Sequence, residues 1–194
     1  MARGIMEAQH FSMLRRFLLV CLAILALPGR AVIAGQGQTL QVVPLPRDGE
    51  VLVSFKLDEA LTEDIRAAIH SGLTIKFVYK VDLRRSSAVW LDRTIKSAVV
   101  TATVRFDTLT RIYHYSRTVD GRIEFVDTTD KEDVAWGALT REFSRLSLFR
   151  GTALEPNGEY YVRVTANASP RSSAFVWPWR GDDAMGFAKF TFIK

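Results

Sequence analysis

Residues Leu73 to Leu83 read LTIKFVYKVDL, in which Leu73, Ile75, Phe77, Tyr79, Val81 and Leu83 alternate with Thr74, Lys76, Val78, Lys80 and Asp82. A period of two over this length suits an extended strand, because a helix would scatter the apolar positions around its axis. One face is apolar and the other carries mainly polar side chains. Such a strand needs a core on one side and water on the other, which is the habit of antiparallel sheets. The pattern recurs along the chain. Ala98, Val100, Ala102, Val104 and Phe106 share one face of the segment KSAVVTATVRFD, and Tyr160, Val162, Val164 and Ala166 share one face after the turn EPNG.

Shorter strands are expected at Val51 to Leu57, RIYHYSR, RIEFV and the closing FAKFTFIK. Asp120-Gly121 is a hairpin signal, since both residues tolerate the left-handed backbone of a tight turn. It makes the strands on either side, together with KSAVVTATVRFD, a meander. Two helices interrupt the strands. In LTEDIRAAIHSG, Thr62 can cap the first turn, Glu63 and Asp64 suit its positive end, Ile65, Ala68 and Ile69 share a face, and Gly72 offers a left-handed stop. A longer helix is expected over Asp130 to Leu146, capped by Thr129 or Asp130, with Ala135, Leu139, Phe143 and Leu146 as its apolar stripe. The fold class is mainly β: a single antiparallel β-sandwich, immunoglobulin- or transthyretin-like, of about seven strands with two inserted helices.

The N-terminal segment reads differently. Arg15 and Arg16 precede the apolar run Phe17 to Leu27, Pro28 and Gly29 break it, and Ala34 supplies a small residue for cleavage. Charge, apolar run and small-residue exit make a secretory signal. The run falls short of the roughly 20 residues of a membrane span, and Arg30 stops its extension. Residues 1–34 are therefore expected to be a signal peptide; the start stays open between Met1 and Met13, the latter giving a compact signal of ordinary length. Residues 35–50 form a flexible linker with one short edge strand at Leu40 to Val43, and 51–194 the sandwich domain. Cys21, the single cysteine, lies inside the apolar run rather than at its end, so lipidation is not expected. A mature chain of about 160 residues can bury enough surface to fold without disulfide staples. The expected location is the periplasm or the exterior, with no stable membrane span once the signal is gone.

The formal charge is +5; the leader holds Arg3, Arg15, Arg16 and Arg30 against Glu7, so its +3 leaves +2 on the mature chain. That balance gives no nucleic-acid footprint. His70, near a helix end, suits a dipole-capping role, and His114 a solvated strand position. No metal, cofactor or catalytic residues are expected, because no ligand spacing or nucleophile elbow is present. The NAS triplet at Asn167 reads as a turn, the Arg180–Asp182 tripeptide RGD as a loop, and Arg84 and Arg85 as a solvated strand end. The candidate partner-binding residues are Trp177, Trp179 and Arg180 in FVWPWRGDD, since Trp and Arg are enriched at binding hot spots.

The strand–helix–strand unit Val51 to Leu83, with RTIKSAVVTATVRFDTLTRIYHYSR and the late PNGEYYVRVTA, resembles the bacterial domain-of-unknown-function family 4390. The resemblance implies an exported protein of Gram-negative bacteria, whose gene lies beside a sensor histidine kinase of the nitrogen-regulation type. It carries over no catalytic residues. Two functional readings stand: a non-enzymatic periplasmic binding or accessory domain that partners an envelope protein or sensor kinase, and a cell-envelope enzyme acting on peptide or glycan.

Overall fold

The alternating segments form strands in the computed structural model, which describes residues 40–58, 61–86, 92–169 and 184–193. In chain order the elements are β1 Leu40–Arg47, β2 Glu50–Leu57, α1 Glu63–His70, β3 Ile75–Arg85, β4 Arg93–Asp107, β5 Ile112–Val119, β6 Arg122–Thr129, α2 Glu132–Thr140, β7 Phe143–Arg150, β8 Glu159–Ser169 and β9 Ala184–Thr191. They build two antiparallel sheets, one ordered β1-β2-β7 and the other β6-β5-β4-β3-β8-β9. The two sheets share one core, so the expected sandwich holds, with nine strands among the described residues rather than about seven.

The inner row of β3, Ile75, Phe77, Tyr79, Val81 and Leu83, is fully buried. Leu73 is not; it is 38% exposed in the turn after α1. Across the sandwich Phe55 of β2 stacks on Phe143 of β7 at 4.5 Å, and both meet the Tyr79 ring at 5.0 and 4.7 Å. Tyr79 Oη donates to the Leu139 carbonyl, so its polar tip is satisfied inside the core. In the same core α1 packs on β4, α2 packs on β4 and β5, and Trp136 meets Phe77 edge-on.

Several local expectations hold. Thr62 Oγ1 accepts the Ile65 amide at the start of α1, and Gly72 takes a φ of +83° after its end. Asp120 and Gly121 both have positive φ, 47° and 78°, as a two-residue hairpin turn requires. Three differ. The segment expected as linker contributes the whole of β1, whose register with β2 runs from Leu40↔Leu57 to Arg47↔Glu50. Pro44 and Pro46 disguised it, yet proline is tolerated on an edge strand, which β1 is. The NAS triplet is the end of β8 rather than a turn, with Asn167 opposite Val78.

The third difference is the helix expected over Asp130 to Leu146, which stops at Thr140 and becomes β7. Its N-cap is Lys131, which makes no side-chain capping bond, while Thr129 Oγ1 accepts the Lys131 amide. Phe143, Leu146 and Phe149 face Phe55, Val53 and Val51, so β7 advances three residues for every two of β2. Two irregularities in the register absorb the difference, and Arg145 takes a φ of 50° there.

Candidate functional site

Among the described residues, two regions stand out for the chemistry-bearing side chains they gather. The first is a cleft of about 440 Å³ lined by His70, Phe106, Thr108, Arg111, Tyr113 and Asp130. Its position follows from the fold: α1 ends at His70, β4 ends beside Phe106, and the β4–β5 turn brings the chain back at Tyr113. Asp107 fixes that turn by accepting the Leu109 and Thr110 amides through Oδ1, while its carbonyl accepts the Arg111 amide at 2.8 Å. Those two backbone bonds hold its carboxyl below the usual range.

His70 Nε2 is hydrogen-bonded to Tyr113 Oη at 2.8 Å and lies 3.3 Å from Glu132 Oε1, an ion pair when the imidazole is protonated. Glu132 in turn accepts both contacts of Arg66 Nε, at 3.2 and 3.0 Å, and Arg66 also reaches Glu63. Burial, then the Glu132 charge, push the Tyr113 phenol up. The Phe106 and Tyr113 rings are 4.7 Å apart and His70 is 5.2 Å from Phe106, so the three rings make an aromatic corner. His70 thus sits at the helix end as expected, but it also ties α1 to β5 and α2. Sequence spacing could not reveal this, because residues 70, 113 and 132 meet only through the tertiary fold.

The second region is the outer face of the six-stranded sheet. Asp82 belongs to the outward row of β3 yet its side chain is only 3% exposed. Ser97 Oγ donates to it at 2.6 Å, Arg163 at 3.0 Å, and Lys80 Nζ lies 3.8 Å away. Burial opposes its ionisation, but the hydrogen bonds of Ser97 and Arg163 and the Lys80 charge outweigh that and hold the carboxyl below its ordinary value. Beside it the Arg84 guanidinium lies 5.7 Å over the Tyr161 ring, Tyr161 Oη donates to Asp92, and Phe187 meets Tyr161 edge-on at 6.4 Å. Phe187 and Met185 project from β9 with 64% and 56% of their surface exposed.

The sequence candidates fall unevenly. Trp177, Trp179 and Arg180, like the RGD tripeptide, lie outside the described residues; in sequence they lead directly into β9. Arg85 is held by Glu155 in a two-point pair at 2.8 and 2.6 Å rather than lying free at a strand end. His114 is exposed on β5. Asp82, Asp107 and Glu155 are all shifted downward, the direction of a fixed anion and opposite to that of a carboxylic acid donor. Among the described residues no group of three or more His, Cys, Asp or Glu could hold a metal ion, and no helix is long and apolar enough to cross a membrane.

The family described as Domain of unknown function (DUF4390) matches residues 36–172, well over half of the chain. The chain belongs to the DUF4390 family. The DUF4390 match begins four residues before β1 and ends just past β8, so it covers both helices, the His70 cleft and the Asp82 cluster, while β9 lies beyond it. No curated protein and no solved structure matches this DUF4390 chain.

Proposed function

We propose that this chain is an exported, non-enzymatic accessory domain that docks a protein of the cell envelope through the outer face of its six-stranded sheet. The observation that carries the reading is the cluster of Tyr161, Phe187 and Met185 beside Arg84 and Arg163. Aromatic, methionine and arginine side chains are the types enriched in protein interfaces, and a planar guanidinium can pair with a partner's carboxylate. Arg84 and Arg163 each make one side-chain hydrogen bond within the described residues, which leaves donors on both. Trp177, Trp179 and Arg180 belong to the same proposal as anchors that precede β9 in sequence.

The partner proposed is the extracytoplasmic region of a membrane sensor histidine kinase. The signal-like leader, with a cleavage position near Ala34, supports that side of the membrane, and the family resemblance suggests the kinase. The test uses the tagged mature chain to capture proteins from an envelope extract of the native host. Phe187→Asp should abolish capture of the kinase while leaving stability within about 0.5 kcal/mol, since the ring is largely solvated. Leu109→Asp, at a β4–β5 turn position 92% exposed, should leave capture intact. Equal capture by the wild-type and Phe187→Asp chains would overturn the proposed surface.

A further inference from the structure

Beyond the docking surface, and independent of it, the His70 cleft has the chemistry of a small-ligand site. Most polar side chains around it have partners: His70 with Tyr113 and Glu132, Arg66 with Glu132 and Glu63. Two do not. Among the described residues the side chains of Arg111 and Asp130 have neither an ion-pair nor a hydrogen-bond partner, yet both line the same 440 Å³ space. The Phe106, Tyr113 and His70 rings, which pack on one another, line the same space. A cleft of this size, with an aromatic wall and a few polar groups to fix orientation, is within the range that binds small molecules.

The Arg111 backbone adds a second observation. Its φ of 59° is a left-handed conformation that a long side chain rarely adopts and that glycine would take without cost. The Asp107 turn enforces it through the Arg111 amide and the two bonds to Oδ1. An arginine kept at a position suited to glycine is a strained residue of the kind that clusters at binding sites.

We propose that this cleft binds a small zwitterion, an α-amino acid with an apolar or aromatic side chain. Arg111 takes the carboxylate through a two-point pair, Asp130 takes the ammonium, and the Phe106–Tyr113 wall takes the side chain. The free L-amino acid and the end of a peptide share part of this chemistry. A free amino acid satisfies both charges at once; a peptide end satisfies one.

The test is a titration of the mature chain, followed by amide chemical shifts, with L-phenylalanine, phenylpropionate and phenethylamine as probes. L-phenylalanine should shift resonances around Phe106, Arg111 and Asp130 saturably, and each single-charge analogue should bind at least about tenfold more weakly. Arg111→Gln should weaken L-phenylalanine about tenfold or more while leaving phenethylamine unchanged, and Asp130→Asn should do the converse with phenylpropionate. Both positions are exposed, so the variants should melt as the wild type does. Phenylalanine amide and N-acetylphenylalanine, which mimic the two peptide ends, separate the sources: tighter binding of either than of the free amino acid would assign the site to a peptide terminus instead. No saturable shift with any of these probes, or equal binding by both variants, would overturn the proposal. Because Phe187 is not in this cleft, failure here leaves the docking surface standing, and the reverse holds.

Discussion

At the scale of residues, the most demanding position is Gly186. A side-chain carbon there would run into the Leu40 carbonyl, where β1 meets β9. The clash is with backbone, which cannot rotate aside. Gly186→Ala should therefore cost about 3 kcal/mol or more in a denaturant melt, the upper range for overpacking; a loss under about 1 kcal/mol would mean that β1 does not meet β9 there. Asp82 makes a prediction about pH. Its carboxyl is depressed in the folded state, so its contribution to stability is present above the pKa of the unfolded chain and is lost as pH falls through the folded value. Stability should drop on acidification below about pH 4, and Asp82→Asn should flatten part of that slope. An unchanged slope in the variant would show that other carboxylates carry it. Ser97, its closest hydrogen-bond donor, could not have been named from sequence: the two residues meet only through the β3–β4 register.

Elements were legible where local periodicity and tertiary environment agree. The inner rows of β3, β4 and β8 alternate strictly and are buried as the alternation requires. The β7 segment was not legible, for a definite reason. Register irregularities against β2 place Phe143, Leu146 and Phe149 three residues apart on one face, and a spacing of three is close to the period of a helix. The burial of those residues was readable; the element was not. The same region offers a test of helix capping. Lys131 holds the N-cap of α2 in an extended conformation without a capping bond, although its side chain is exposed. Lys131→Ser should raise stability by about 1 kcal/mol, measured by thermal or denaturant melting, through a hydroxyl that can accept an amide of the first turn. A destabilised variant would show that the lysine stem is packed.

At the scale of the whole molecule, fold class was readable because an antiparallel sandwich follows from repeated two-residue alternation. The candidate sites were not, because both assemble across long sequence distances: residues 70, 111, 113 and 130 in the cleft, and 82, 84, 161 and 187 on the outer sheet face. A tryptophan pair in one short segment was visible; a guanidinium over a ring five strands later in the chain was not. The sandwich core should be self-sufficient, since each buried Val, Leu, Ile or Phe contributes about 1.5–3 kcal/mol. Thermal melts with and without a chelator should therefore coincide, and a drop of several degrees would reveal a metal contribution to folding. The docking role is the central claim, and in-cell photo-crosslinking tests it most directly. A photoreactive residue replaces Phe187 on β9 in one strain of the native host and Val43, 62% exposed on β1, in another. The account predicts a crosslinked adduct containing the sensor kinase from position 187 and none from position 43. An adduct from position 43 alone, or the absence of kinase from both, would contradict it.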